Sequence, residues 1–326
     1  MAAGLGTRLR PITWEIPKPV VPVCNRPIVE QLARLLAKHG TDEIVANLHW
    51  FPDTVKAALG DGSEFGLEVS YSFEQDLLGT AGGVRNVSGF LAPGDGEPFL
   101  VLAGDALTDM DLTALLEAHK ANGGVATLAV KKVTDVDQYG VIVVDGDGRV
   151  QGFQEKPDPA EALSDLVNCM VYAFSPEVFD YFPGEPDEPI DFALDVFPNL
   201  LANDVPFHVH EIDGYWNDVG TLREYVNGNL DAVAGAVHQD MLGELSEGDR
   251  TLDGDVELSG RVLIGPGAEI GAGASLAGPL IVGPGARIGA GARLAEAVLL
   301  PGAEIAPGAV VARGLIGSAR ALAPSG

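Results

Sequence analysis

The chain has 326 residues, 46% of them hydrophobic, with six His, two Cys and a formal net charge of −27. That length predicts about two domains, and the acidic surplus argues against a nucleic-acid-binding protein, which should be basic. No apolar run is long enough to span a bilayer, no basic-then-apolar leader is seen, and Cys24 and Cys169 are too few for a disulfide framework; these features predict a reduced, cytoplasmic enzyme with no membrane partner. An acidic chain can still bind polyphosphate, given local Arg and Lys and a divalent cation for its carboxylates to hold.

The first informative stretch is Gly4 to Val23, GLGTRLRPITWEIPKPVVPV. Its glycines allow close approach of a ligand to the main chain, and its N–H groups could cradle phosphate oxygens. Arg8, Arg10 and Lys18 supply positive charge, and Pro11, Pro17, Pro19 and Pro22 stiffen the second half of the stretch, so that the lysine is held in place. A dinucleotide fingerprint would need a third glycine where Leu9 stands, and the Gly-Lys-Ser/Thr of a P-loop is absent. The full string resembles the signature of the sugar-1-phosphate nucleotidyltransferases (NDP-sugar pyrophosphorylases), G-x-G-T-R-L-x-P-x-T followed by P-K-P-x-x-P-V. The resemblance implies nucleotide contacts from Ala2, Ala3, Gly4, Gly6, Thr7 and Arg8, with Arg8 and Lys18 catalytic. In that family a buried strand runs into the glycine loop, but here only Met1, Ala2 and Ala3 precede it. A central strand usually has five or so apolar residues. The favoured expectation is a start codon further upstream; the alternative is a protein without that strand.

Ile28 to His39 reads as a helix with Ile28, Leu32, Leu35 and Leu36 on one face. Glu43 to Leu48 reads as a buried strand, Pro52 to Leu59 as a helix stopped by Gly60, and Leu67 to Phe73 as a strand. In EQDLLGTAGGVRN, Gly79 precedes a helix whose first turn holds Thr80, where a nucleotide could meet free N–H groups. The family carries L-G-T-A-G here, which adds Gly79 and Thr80 to the implied nucleotide contacts. Pro98 to Ala103 is a continuous apolar run, hence a central strand, ending in Gly104-Asp105. A carboxylate just past such a strand stands where α/β proteins place ligand chemistry. Asp109 and Asp111 suit the cap of a helix from Leu112 to Ala121, and Asp109 remains a weaker metal candidate. The resemblance makes Asp105 a metal ligand.

Val125 to Lys132, Tyr139 to Val144 and Arg149 to Glu155 read as strands, the last two joined at Asp145-Gly146-Asp147-Gly148. The last runs into Glu155-Lys156-Pro157; in the family, E-K-P contacts the sugar hydroxyls through Glu and the sugar phosphate through Lys. From the residues alone, an ordinary surface pair is the preferred reading. Val167 to Phe174 resembles the family's N-A-G-I-Y strand, which would put Asn168 on the sugar and Met170 where the family has glycine. Phe192 to Leu201 reads as a helix and Phe207 to Ile212 as an edge strand, with His208 and His210 facing solvent. GYWNDVGT, from Gly214 to Thr221, matches the family's W-x-D-x-G-T; Trp216 reads as packing, and Asp218 would be the second metal carboxylate. A helix runs from there to about Ala234, then an irregular linker.

Beyond it, Leu252, Leu258, Ile264, Ile270, Leu276, Val282, Ile288 and Leu294 recur every six residues, and after a one-residue slip Leu299, Ile305 and Val311 resume. That period predicts a parallel β-helix and resembles the left-handed hexapeptide-repeat domain. The expected architecture is α/β, a Rossmann-like mixed-sheet domain over 1–236, a linker over 237–250, a left-handed β-helix over 251–317 that mediates homo-oligomer formation, and a tail over 318–326. The resemblance implies Mg²⁺ on Asp105 and Asp218, with a nucleoside triphosphate and a sugar 1-phosphate as reactants. PKPVVPVCNRPIVE and ANLHW look most like mannose-1-phosphate guanylyltransferases, with thymidylyl, uridylyl or adenylyl transfer to glucose 1-phosphate as the alternative. A hexapeptide-repeat acyltransferase is disfavoured because no His occurs after His238. A non-catalytic sensor is disfavoured because Arg8, Lys18, Asp105 and Asp218 are all present.

Overall fold

The computed structural model describes residues 1–94, 96–238, 244–246, 250–252 and 254–317. Helix α1 (Ile28–Lys38) buries Ile28, Leu32 and Leu35 along one stripe, as a 3.6-residue period requires. Strand β1 (Glu43–Leu48), helix α2 (Pro52–Leu59) and strand β2 (Glu68–Phe73) come next. β1 and β2 pair in parallel from Glu43↔Glu68 to Leu48↔Phe73, and Val29, Leu48, Val55 and Leu59 form their core.

The larger sheet is built around one long strand. Its members are β3 (Phe99–Leu102), β4 (Ala126–Lys132), β5 (Gly140–Val144), β6 (Val150–Glu155), β7 (Leu166–Phe174) and β8 (His208–Glu211). Their order is β8-β4-β7-β5-β6, with β3 also on β7. Only the β8–β4 pairing is parallel; β7 runs antiparallel to β3, β4 and β5. Helices α3 (Gly79–Arg85), α4 (Leu112–Asn122) and α5 (Leu222–Ala234) complete the unit. The segment read as a helix from Phe192 starts as a π-helical turn, Phe192–Val196, and continues as the α-helix Phe197–Ala202. His208 and His210 are half-buried rather than solvent-facing; the backbone of Gly124 lies against the His208 ring.

Met1 and Ala2 bridge β1 and β3. The Met1 amine donates to Leu102 O at 2.6 Å, and Gly104 N–H donates to Met1 O at 2.7 Å. This is one rung of a parallel ladder. Ala2 N–H then donates to Asn47 Oδ1 at 2.6 Å on the other side. Behind Met1 runs a channel of about 440 Å³ between the two strands, lined by Leu32 and Leu36 of α1, Val45 of β1, and Leu100 and Leu102 of β3.

The hexamer period builds three stacked walls. Leu258, Leu276 and Leu294 fall in register on one, and Ile270, Ile288 and Ile305 on another. The third stacks Val262–Ile264, Leu280–Val282, Ala297–Leu299 and Gly314–Ile316. The slip appears as Val282↔Leu299, one residue fewer than the Ile264↔Val282 step before it. Leu276, Val282, Leu294 and Leu299 are buried, so the aliphatics of the period point inward. The segment read as an irregular linker differs in part: Glu244–Ser246 pairs antiparallel with Val262–Ile264, and Arg250–Leu252 with Val256–Ser259. The first coil of the β-helix would otherwise leave a row of main-chain N–H and C=O groups unpaired, and these short strands satisfy them. The tail over 318–326 lies outside the described residues.

The β-helix docks on α5. Leu263, Ile281 and Val298 join the same core as Leu230 and Val233. The same helix holds the proline-rich segment, with Tyr225 Oη donating to Pro22 O at 2.6 Å and Cys24 N–H donating to Asn229 Oδ1 at 3.0 Å.

Candidate active site

The glycine loop is shaped by a left-handed residue. Gly6 has φ 61°, and an added Cβ would lie 3.0 Å from Lys18 Cβ. Its carbonyl accepts from Leu9 N–H at 3.0 Å and from Thr13 Oγ1 at 2.7 Å. Leu9 is fully buried and anchors the turn, leaving Arg8 exposed. Lys18, flanked by Pro17 and Pro19, is held inward and is 8% exposed.

Two remote segments bring the carboxylates to it. Leu107–Thr108 pairs antiparallel with Trp216–Asn217, with Leu107 opposite Asn217. Continuing that register sets Asp218 opposite Ala106, beside Asp105. Lys18 Nζ lies 2.7 Å from Asp105 Oδ2 and donates to Asp218 O at 3.0 Å. Asp218 Oδ1 accepts from Gly220 N–H at 3.0 Å, and its Oδ2 is 4.0 Å from Arg8 Nη2. A cavity of about 180 Å³ opens at this point, lined by Gly4, Gly6, Thr7, Arg8, Lys18 and Asp105. Tyr139 stands nearby against Trp216, its ring 5.5 Å away, and burial pushes its hydroxyl up to about 12, with Asp218 adding to the effect.

The donor set is oxygen-only. Among the described residues no cluster of three or more His, Cys, Asp or Glu could hold a metal. Magnesium is commonly held by one or two carboxylates and completed by substrate phosphates. Asp105 and Asp218 offer such oxygens: the Asp105 carboxylate lines the cavity against Lys18, and Asp218 Oδ2 faces Arg8, which lines the same cavity. Asp109 does not: its Oδ1 accepts from Tyr215 N–H at 2.6 Å and its Oδ2 from His238 N–H at 2.7 Å. It ties chain segments together, and Asp111 caps α4 through Ala114 N–H at 2.9 Å.

The remaining residues singled out in the sequence are arranged differently. Thr80 Oγ1 donates to Asp191 Oδ2 at 2.6 Å, and the N–H groups of Ala81 and Gly82 both go to Ile190 O. The expected free first turn of α3 is therefore largely engaged by protein, because the Ile190 backbone packs directly on Gly79. Glu155 and Lys156 form an exposed pair at 3.4 Å. Asn168 is turned inward onto its own strand: Nδ2 donates to Tyr172 Oη at 3.0 Å and Oδ1 accepts from Met170 N–H at 2.9 Å. That closes a bulge in which Met170 takes φ 54°, so a glycine-like conformation is kept without glycine. Met170 O then accepts from Ala103 N–H at 2.9 Å, so the bulge braces the segment that carries Asp105.

Sequence reasoning missed Asn47 and Glu74, buried polar residues at 8% and 3% exposure. Both lie in stretches singled out in the sequence, ANLHW and EQDLLGTAGGVRN, but nothing local gives either residue a role; their burial marks them.

With two carboxylates and a lysine meeting a glycine loop, the comparison with known proteins is decisive. Residues 1–234 match the nucleotidyl transferase family. The chain belongs to that family. Residues 261–296 match the bacterial transferase hexapeptide repeats, in keeping with a left-handed β-helix after the α/β domain. The chain is 40% identical over 236 residues to a UTP–glucose-1-phosphate uridylyltransferase of Synechocystis, covering 69% of this chain and 60% of that one. A mannose-1-phosphate guanylyltransferase of Mycobacterium tuberculosis is 34% identical over 283 residues, covering 85% of this chain and 77% of the relative. A probable mannose-1-phosphate guanylyltransferase of rice matches 97% of this chain, and 84% of its own length, at 31% identity. Among solved structures, a putative glucose-1-phosphate thymidylyltransferase from Bacillus anthracis superposes with TM-score 0.62 over 70% of this chain and 91% of its own, at 23% identity. That likeness is one of fold.

Proposed function

We propose that this nucleotidyltransferase joins a nucleoside triphosphate to a sugar 1-phosphate, releasing pyrophosphate, and that its preferred pair is GTP and mannose 1-phosphate. The observation that carries the reading is the meeting of Lys18 with both Asp105 and Asp218 beside the glycine loop. The guanylyl and mannosyl choice is supported by relatives that align through the β-helix as well as the α/β domain.

In the reaction a sugar-phosphate oxygen attacks the α-phosphorus, and the bond to the bridging oxygen of the β-phosphate breaks. Both reactants are anions, so alignment and charge neutralisation dominate the barrier. The loop from Ala3 to Arg8 presents main-chain N–H groups to the triphosphate, and Ala2, its own N–H held by Asn47, anchors that loop. Arg8, its side chain half exposed at the cavity mouth, faces the departing pyrophosphate. Lys18 neutralises the reacting phosphates, and Asp105 and Asp218 hold Mg²⁺. Bound there, Mg²⁺ supplies charge stabilisation and alignment of phosphate oxygens. Gly79 borders the nucleotide side and Glu155 and Lys156 the sugar side, while Thr80 and Asn168, held by Asp191 and by Tyr172 and Met170, shape those walls rather than contact the reactants. The enzyme acts in the cytoplasm, and its β-helix mediates self-association. Among the described residues no helix is long and apolar enough to cross a membrane.

A second reading, uridylyl transfer to glucose 1-phosphate, is favoured by the Synechocystis relative. Pyrophosphate release measured with four nucleoside triphosphates against mannose and glucose 1-phosphates separates them. Release from GTP with mannose 1-phosphate alone supports the first reading, and release from UTP with glucose 1-phosphate alone overturns it.

A further inference from the structure

A short polar relay runs from the start of the glycine loop to the residue before Gly79. Ala2 N–H donates to Asn47 Oδ1 at 2.6 Å, Asn47 Nδ2 donates to Glu74 Oε1 at 2.7 Å, and Leu78 N–H donates to Glu74 Oε2 at 3.1 Å. Ala2 opens the glycine loop, and Leu78 directly precedes Gly79. The relay thus ties together two loops that lie more than seventy residues apart in sequence. Its polarity is fixed from both ends, because a main-chain N–H can only donate. Asn47 must turn its oxygen to Ala2, which leaves its NH₂ for Glu74, and Glu74 must accept at both oxygens.

The surroundings leave no slack. Both side chains are buried. A Cβ on Gly83 would lie 2.5 Å from Glu74 Oε1 and 2.6 Å from Asn47 Nδ2, so glycine makes room for the pair. The Glu74 main chain is also pinned: its N–H donates to Leu48 O at 2.8 Å, and its carbonyl lies 2.9 Å from His49 Nδ1. None of these bonds involves Lys18, Asp105 or Asp218. A buried carboxylate carries a desolvation penalty, and replacing such a group by apolar packing is often neutral or stabilising. Stability alone is therefore a weak account of it.

We infer that Asn47 and Glu74 are positioning residues that set the separation of the glycine loop and the Gly79 loop, and so determine affinity for the nucleoside triphosphate without touching the reacting phosphates. This rests on the proposed nucleotidyl transfer. Glu74→Gln puts an NH₂ where one of two donors already points; if Asn47 rotates to compensate, the clash moves to Ala2. Asn47→Asp sets two carboxylates face to face. The double exchange Asn47→Asp/Glu74→Gln repairs every bond: the new carboxylate accepts from Ala2 N–H and from the new amide, whose oxygen accepts from Leu78 N–H.

The test measures kcat, KM for each reactant, calorimetric binding of Mg²⁺–GTP and melting temperature for the wild type, both single variants and the exchange. Each single variant should raise the GTP Kd and KM about tenfold, as expected when a buried donor or acceptor loses its partner. The KM for sugar 1-phosphate should not move, and the exchange should restore GTP affinity. Single variants that lower the melting temperature while leaving the GTP KM unchanged overturn the proposal and leave the pair a structural one. An exchange that recovers stability but not affinity overturns it as well. A wild-type chain that neither binds nor turns over any of the four triphosphates overturns the functional reading itself, and this inference with it.

Discussion

Lys18 Nζ donates at 3.0 Å to the main-chain carbonyl of Asp218, a residue two hundred positions further along the chain. The same ammonium pairs with Asp105 at 2.7 Å. One buried cation therefore ties the Asp105 carboxylate to the main chain of Asp218 before any substrate arrives. Lys18→Ala and Asp218→Ala should each lower kcat by about 10²–10³-fold, or roughly 2.7–4 kcal/mol of barrier, by analogy with the loss of one preorganised electrostatic partner. Both variants should keep cooperative melting, since the core around Leu9 and Leu107 is untouched. Near-normal pyrophosphate release by both sinks the assignment.

Gly6 and Gly4 predict opposite responses to alanine. At Gly6 the backbone has φ 61° and the new methyl would lie 3.0 Å from Lys18 Cβ and 3.1 Å from Thr13 Cγ2. A left-handed conformation costs a non-glycine residue about 1–2 kcal/mol, and the contact pushes Lys18 off the aspartates. Gly6→Ala should lower both melting temperature and kcat. Gly4 has nothing within 4 Å of its would-be Cβ, so Gly4→Ala should melt close to wild type. Equal melting temperatures for the two variants would contradict this account of the loop.

The buried amine of Met1 predicts a pH dependence. Burial holds its pKa down at about 6 against an ordinary 8.0, with Asp105 and Glu74 partly opposing the shift. Between those values the unfolded chain keeps a proton that the folded chain has released, so stability rises with pH across that window and levels off above it. The total is about 2–3 kcal/mol. Acetylation of the Met1 amine removes the titrating group and should abolish the slope. Melting followed from about pH 5 to 9 for the free and the acetylated chain checks it, and an unchanged slope would mean that other groups carry it.

Patterns of short range were legible in the chain. The helix Leu222–Ala234 ends where it was expected, and the six-residue aliphatic period became the stacked walls with its slip in place. Asp105 and Asp218 could be named from motifs, but nothing local says that Leu107 pairs with Asn217, which is the contact that brings them together. Thr80 read as an open helix start, because the Asp191 that engages it is over a hundred residues away. The strand Glu244–Ser246 lies in a polar stretch with no apolar alternation, and only the exposed edge of Val262–Ile264 explains it. Long-range pairing and buried polar contacts were illegible for one reason: their energy depends on what the chain packs against.

The β-helix reaches the catalytic cleft through the turn that Asn229 holds. Asn229 Oδ1 accepts from Cys24 N–H at 3.0 Å and its Nδ2 donates to Tyr225 O at 2.9 Å, with the residue 1% exposed. Cys24 and Asn25 both hold positive φ, 52° and 62°, so the turn after the proline run persists only while its N–H is held. From the same turn, Asn25 Nδ2 donates to Val282 O of the β-helix at 3.0 Å. Asn229→Ala leaves a buried N–H unpaired and should cost about 1–3 kcal/mol of stability. Because the freed turn lies a few residues past Lys18-Pro19, kcat should fall as well, while Asn25→Gly, which keeps the left-handed backbone and loses the β-helix contact, should lower stability less. Melting and turnover measured together decide it: Asn229→Ala with a lowered melting temperature and unchanged kcat would mean that the turn moves independently of Lys18.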